Sequence, residues 1–363
     1  MTAHLTGCLR RKTLKEAALR YTVVCSVRNE GPFLVEWITW YRMLGFTDIV
    51  IVTNDCTDHS PALLDALALQ GWCTHLTRDV PDRNRICAVK LQHAHATEQV
   101  RSSDWVLVCD VDEFLVIHRG DGGIADLIKG PSEPFLGMSI NWRVFGTSGH
   151  LTWQDGLVHR QFTKAAYPDD PSSAWIKSIT SHPDWFEKLG EHGPKKLRQN
   201  RAGMAWGSPG LRWVNTAGID VPTWQPGGDY IRRLPRDLVT HTVAQMNHYM
   251  IRSEESFGLK KGQPSTVAGK DRYTDEFMVK FDRNECEDTT ACRYSAAFDA
   301  LHAQAMALPN VRRLHHLCCA DYVTRLAEKT ATDVQDDPRY RTHMSAIGKS
   351  GRVSPKAAAA PPD

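Results

Sequence analysis

Strand-like and helix-like segments alternate through the first third of the chain, and that order leaves few folds open. YTVVCSV (21–27) is a continuous apolar run suited to a buried strand, and it ends in the polar turn Arg28-Asn29-Glu30-Gly31. PFLVEWITWYRML (32–44) has helical spacing, with Pro32 in the first turn and Gly45 placed to stop it. TDIVIVTN (47–54) is the next strand and runs into Asp55-Cys56-Thr57-Asp58. SPALLDALALQG (60–71) is a second helix, with Ser60 as N-cap, Pro61 at its first position and Gly71 as stop. NRICAVKLQHAHATEQV (84–100) is a third helix, and VLVCDVDEFL (106–115) a third strand. Strands separated by helices pair in parallel, so the expected class is α/β. Polar groups gather after each strand, where open parallel sheets bind ligands. No GxGxxG follows the first strand, so no dinucleotide fingerprint is present.

The acidic end of the third strand is the chemical signal. Its apolar run stops at Asp110, followed by Asp112 and Glu113. Carboxylates are rarely left in a strand without a counter-charge. With period-two alternation Asp110 and Asp112 share a face and could hold a divalent cation, which could hold a phosphate. The segment alone is equally compatible with a strand that runs into a solvated acidic turn.

The 363 residues allow one elaborated α/β domain or two closely joined ones. Lys+Arg of 44 against Asp+Glu of 42 leaves a net charge of +2, too balanced for a nucleic-acid footprint. Eleven tryptophans fit a sugar-binding cleft or a large core equally. Ten scattered cysteines fit a reducing compartment, Cys25 and Cys109 read as small buried hydrophobes, and the lack of a CxxC pair weighs against a structural zinc site. His93 and His95 are two apart and do not share a helix face, which argues against a metal pair. No apolar stretch is long enough to span a bilayer, and the start of the chain lacks a signal-peptide core. The basic start (Arg10, Arg11, Lys12, Lys15) reads as a solvated helix face or as a contact with anionic lipid, so membrane association is at most peripheral.

Four segments, VVCSVRNEGPFLVEWITWYRMLGFTDIVIVTNDCTDHS, VLVCDVDEFLVI, INWRVFGTSGH and NHYMIRSEESFGLKKG, occur in this order between residues 21 and 262. Together they resemble the family 2-like glycosyltransferases of the GT-A fold, in particular the bacterial subgroup near glycosyltransferase family 92. The resemblance implies an open, mainly parallel twisted sheet flanked by helices, with a Rossmann-like nucleotide-binding half. The expected organisation is a basic helical segment (1–20), a GT-A catalytic domain (21–262), a mainly helical extension (263–350) and a disordered tail (351–363). Within the catalytic domain, 21–120 is the nucleotide-sugar half and 121–262 the acceptor half. Residues 168–240, rich in Pro, Gly and Trp, read as an inserted face that shapes the site.

In that family Asp110-Val111-Asp112 corresponds to the DxD motif, which holds Mn2+ or Mg2+ against the diphosphate of a nucleotide-sugar donor, here expected to be a UDP-sugar. A cation neutralises the charge that builds on the leaving nucleoside diphosphate. The implied metal ligands are Asp110, Asp112 and His248; a neutral imidazole suits Mn2+ beside carboxylates. Glu113 reads either as a substrate contact or as the partner of a nearby Arg. Asn29, Glu30 and Asp55 are placed near the nucleoside, Arg28 pairs with the diphosphate or with one of these acids, and Asp58 caps or fixes its loop. Arg252, Lys260 and Lys261 either close over the diphosphate or form a solvated basic face. Trp142, Phe145, Gly146 and Gly149 belong to the floor under sugar and acceptor or, for Trp142, to the core; the roles of Lys177 and His182 stay open.

The implied reaction is metal-dependent transfer of a sugar to a glycan or glycoside acceptor, with inversion, in the cytoplasm or at the inner face of its membrane. Direct displacement needs a general base, and Asp170, Glu187, Glu191, Asp229 and Glu254 all qualify by charge and position. A sugar nucleotidyltransferase of related fold would want a Gly-rich, Lys-containing loop after the first strand, which Arg28-Asn29-Glu30-Gly31 does not offer. A non-catalytic carbohydrate-binding protein would not need Asp110, Asp112 and His248 intact.

Overall fold

The computed structural model describes residues 19–80, 85–198, 210–225, 231–263 and 271–350. The basic start, Asp229 and the C-terminal tail lie outside them. The strands, in chain order, are β1 (Tyr21–Val27), β2 (Asp48–Thr53), β3 (Thr74–Thr77), β4 (Trp105–Val108), β5 (Glu113–Ile117), β6 (Gly137–Val144), β7 (Lys164–Ala165), β8 (Ile176–Ser181), β9 (Phe186–Gly190), β10 (Gly193–Leu197), β11 (Trp213–Asn215), β12 (Ala244–His248) and β13 (Cys286–Glu287).

An open sheet runs in the order β3-β2-β1-β4-β8-β6-β12-β5, with β11 added on β6. Strands β1 to β4 are mutually parallel, as the strand–helix alternation requires. Beyond them β8 is antiparallel to both β4 and β6, and β5 is antiparallel to β12. This α/β sheet, flanked by helices and followed by a helical C-terminal part, has the layout of a GT-A or Rossmann-like fold. Residues 168–240 are more than an inserted face, because Ile176–Ser181 joins the two halves of the sheet.

Helix Gly31–Met43 is buried along nearly its whole length, since both the sheet and the C-terminal helices cover it. Its aromatic residues brace the acidic turn. Trp37 Nε1 donates to the carbonyls of Asp110 (3.0 Å) and Glu113 (3.2 Å), and Trp40 Nε1 to that of Leu115 (2.9 Å). Tyr41 Oη donates to the Glu113 carbonyl at 3.1 Å. These two tryptophans are core residues and not sugar platforms.

The second helix starts at Ser60 itself, with His59 preceding it, because Asp58 takes the Ser60 amide at 3.0 Å and so does the work expected of Ser60. The expected helix over 84–100 is broken: Ile86–His95 and Glu98–Arg101 are separate, and Thr97 Oγ1 bonds back to the Ala94 carbonyl at 2.7 Å. His95 binds the Pro183 carbonyl at 3.0 Å.

The C-terminal helices Ser295–Ala307 and Val311–Thr330 share one apolar core with the sheet. Contact is close at Gly31, where an added Cβ would clash with the Cys318 side chain. Helix Val311–Thr330 also bonds to the loops after β1 and β2. Arg325 Nη1 donates to the Asn29 carbonyl (3.0 Å) and Asp321 accepts the His59 amide (2.8 Å).

Candidate active site

The acidic segment is not one strand. β4 ends at Val108 and β5 starts at Glu113, so Asp110 and Asp112 lie in the turn between them. Alternation therefore does not apply, and the two carboxylates diverge. The Asp110 side chain is 44% exposed and bonds Lys177 Nζ at 2.8 Å. That of Asp112 is 15% exposed, with Oδ1 3.5 Å from His248 Nε2 and Oδ2 3.3 Å from Lys260 Nζ.

Strand register assembles the rest. Leu107 pairs with Ile179 across the antiparallel β4–β8 ladder, which carries Lys177 to the end of β4. His248 pairs with Glu113 across β12–β5. Lys177, 1% exposed, thus reaches Glu113 at 2.9 Å as well as Asp110. The partner of Glu113 is this lysine, not an arginine. Burial opposes the Lys177 charge, but Asp110 and Glu113 outweigh it and hold the ammonium well above its ordinary range. Burial pushes the Glu113 carboxyl above its ordinary range, against the pull of Lys177. For Asp112 burial is outweighed by Lys260, His248 and Arg252, which hold its carboxyl well below the usual range.

We expect Lys177→Met to cost about 3–5 kcal/mol in a urea melt, because it strands a buried carboxylate. The double variant with Glu113→Gln should recover part of that loss. No recovery would mean that the ammonium stabilises the fold independently of Glu113.

Asp110, Asp112, His248 and Lys260 open on a cavity of about 470 Å³. Its walls include Arg28, Asn29 and Glu30 after β1, Asp110 and Asp112 after β4, and His248 at the end of β12. Asn29 and Asp55 both have positive φ (57° and 43°), a conformation that Asn and Asp tolerate and that turns the chain sharply after β1 and β2. Asp55 is exposed and accepts from Asn54 Nδ2 at 3.0 Å; it is not part of the cavity wall. Asp58 fixes its loop, as expected.

Of the three basic residues expected over a diphosphate, Lys260 reaches the cavity. Arg252 is 3% exposed and turned inward by a φ of 60°; it pairs with Glu30 at 3.0 Å and stacks on Phe33. Lys261 faces out and pairs with Asp275. The base candidates separate in the same way. Asp170 caps a turn through the Ser172 amide (2.8 Å), Glu187 pairs with Lys196 on the surface, and Glu254 is exposed. Glu191 lines the cavity. It occupies a two-residue turn with His192, between Gly190 of β9 and Gly193 of β10. Burial, then Asp110, raises its pKa. Burial and then Lys177 bring His192 down to about 3, so it is neutral.

Several wall residues carried no sequence signal, among them Lys90, Trp175, Arg272 and Arg325. Trp142 and Trp175 stack with centroids 5.6 Å apart, and Trp142 meets the His248 ring edge-on at 4.2 Å. The buried Trp142 Nε1 has no partner within the protein. Trp142 is therefore both a core residue and part of the wall.

The donor set fits a divalent cation at Asp112 and His248. One carboxylate oxygen and one imidazole nitrogen face each other, and the other ring nitrogen of His248 lies 3.7 Å from Glu113, in the outer position where a carboxylate commonly orients a ligating histidine. Glu113 Oε1 and His248 Nδ1 are buried without hydrogen-bond partners. Asp110 lines the same cavity, but its carboxylate is taken by Lys177.

No protein-family model matches the chain, and neither does any curated protein. Among solved structures it is similar to Staphylococcus aureus TarS 1–349, at 11% identity over 92% of both chains with a TM-score of 0.31. The same protein in complex with UDP-GlcNAc gives 12%, 92% of both chains and 0.30. A putative glucose-1-phosphate thymidylyltransferase from Bacillus anthracis gives 12% over 46% of this chain and 72% of the other, with a TM-score of 0.27. Likeness at this level establishes nothing about the chemistry, which rests on the site itself.

Proposed function

We propose that the chain is a glycosyltransferase that moves a sugar from a nucleoside-diphosphate donor, a UDP-sugar, to a hydroxyl of a glycan or glycoside, with inversion. The observation that carries this reading is one cavity, after the C-terminal ends of β1 and β4, that holds the Asp112–His248–Lys260 cluster together with Glu191. The membership near glycosyltransferase family 92 rests on the four sequence segments. The domain division at 262 and a cytoplasmic or inner-face location belong to the same reading. No helix of the described residues is long and apolar enough to cross a membrane.

In this mechanism Glu191 accepts the proton of the acceptor hydroxyl as its oxygen attacks the anomeric carbon. The bond to the diphosphate oxygen breaks on the opposite face, which inverts the centre. Asp112 and His248 would hold Mn2+ or Mg2+, whose charge would offset that of the departing diphosphate. Lys260 adds a fixed positive charge at the same place, and Arg28 and Arg325 line the wall that the phosphates would follow. Trp142 and Trp175 offer faces for a sugar ring.

A second reading follows from the lysines. Lys260 already neutralises Asp112 and Lys177 already neutralises Asp110, so the pocket could bind a diphosphate without metal. Calorimetric titration of UDP with Mn2+, and again with EDTA, separates the two. We expect affinity at least ~10-fold higher with Mn2+, a difference of about 1.4 kcal/mol. Equal affinity would leave the cavity's lysines and arginines as the counter-charges and sink the metal bridge.

A further inference from the structure

A second cluster of ligand-type side chains lies in the C-terminal helices, outside the donor cavity. His315 and Cys319 are four residues apart on helix Val311–Thr330 and so share a face. Helix 338–350 brings His343 against them, and the loop after Trp153 brings Asp155. Ligand atoms of Asp155, Cys319 and His343 all lie within 4.8 Å of one another. His315 Nε2 is 3.5 Å from Asp155 Oδ1 and 3.6 Å from Cys319 Sγ. Zinc bonds of about 2.0–2.3 Å in a tetrahedron give ligand–ligand edges of roughly 3.3–3.8 Å, so the two His315 separations are already of that size.

We propose that Asp155, Cys319 and His343, with His315, bind one zinc-class divalent ion. A thiolate with imidazoles and one carboxylate selects zinc over magnesium or calcium, which prefer oxygen. Cys319 is fully buried and His343 is 3% exposed, so the donors are shielded, whereas Asp155 at the rim leaves a path for entry. His316 Nδ1 meets His343 Nδ1 at 3.1 Å and would orient that ring from outside, as outer partners of metal-bound histidines do. His315 turns Nε2 toward both Asp155 and Cys319, so this is the nitrogen that would ligate, while its Nδ1 stays outside the cluster. The CxxC spacing rule does not see such a set, because its ligands come from a loop and two helices.

The ion would clip the last helix to the loop at 151–157. That loop is tied onward to the wall of the donor cavity. The Trp153 amide donates to Glu255 at 2.7 Å, and Arg339 binds both Glu255 and the Trp153 carbonyl. Glu255 sits in helix Glu254–Lys260, which carries Lys260. The site is therefore structural in character, with closed protein ligands.

The test uses the full chain, stripped with a chelator and reloaded with Zn2+ or Co2+. We expect about one equivalent of zinc to survive dialysis, and a higher melting temperature with zinc than with EDTA. Cobalt should give tetrahedral visible bands and a thiolate-to-cobalt charge-transfer band in the near ultraviolet. Cys319→Ser should remove the charge-transfer band, and Asp112→Asn should keep it, which separates this site from the cavity. A wild-type protein that shows no charge-transfer band with cobalt overturns the proposal, whether or not the serine variant folds. So does a Cys319→Ser protein that retains the band.

Discussion

Asp112→Asn is expected to lower sugar transfer by about 10³-fold, the equivalent of roughly 4 kcal/mol of charge stabilisation at the leaving diphosphate. The substitution keeps the size of the side chain and removes the charge that faces both His248 and Lys260. The variant should stay folded, because the turn keeps its hydrogen bonds from Trp37 and Tyr41, with a lower melting temperature because Lys260, His248 and Arg252 lose the charge they stabilise. Asp110→Asn should cost less, since that carboxylate is half exposed and already engaged by Lys177. Initial rates with a panel of nucleotide-sugars, and calorimetry with Mn2+, measure both. A near-normal rate in an Asp112→Asn protein that is correctly folded would remove Asp112 from the chemistry.

Glu191→Gln is the second large effect. A general base contributes about 10²–10⁴-fold, and the loss should fall on kcat with the donor KM nearly unchanged, because the base touches the acceptor and not the diphosphate. Burial and the nearby Asp110 raise the Glu191 pKa. Its active form is the ionised one, so the wild-type rate should rise with pH through a midpoint above the ordinary glutamate value of about 4.3. Below that midpoint the carboxyl is protonated and cannot accept the acceptor proton. The variant should lose this limb of the profile along with the rate. An unchanged acid limb in Glu191→Gln would assign the titration to another group and the base to another residue.

What was legible in the chain follows a physical divide between local and distant signals. The parallel half could be read because each of β1, β2 and β4 is a short apolar run, and the helices between them carry proline starts or glycine stops. The acidic cluster could be read because charge ends an apolar run, but the break between Val108 and Glu113 that makes its carboxylates diverge could not be told from a continuous strand. Lys177 and Glu191 could not be assigned, because their roles come from pairing. Lys177 matters only once β8 is placed antiparallel beside β4. The one local hint for Glu191 was the run Gly190-Glu191-His192-Gly193, a short polar turn between glycines. Arg252 shows the opposite failure. A basic run looks like a phosphate clamp, but a left-handed backbone buries that arginine against Phe33, where it pairs with Glu30. The tryptophan count was ambiguous for good reason, since Trp37 and Trp40 brace the core while Trp142 and Trp175 form the wall.

The helix Val311–Thr330 bears on how this protein can be recombined. Arg325 holds the Asn29 carbonyl on one lip of the cavity, and Lys329 holds the Lys261 carbonyl on the other at 3.1 Å. Both anchors bind backbone, so they depend on where the lips lie and not on which side chains the lips carry. A chimera that keeps residues 21–262 and imports a foreign helical tail would therefore inherit Asp112, Glu191, His248 and Lys260, but neither Arg325 nor the spacing between the lips. A parent-like donor KM in such a chimera would show that the lips hold their distance unaided.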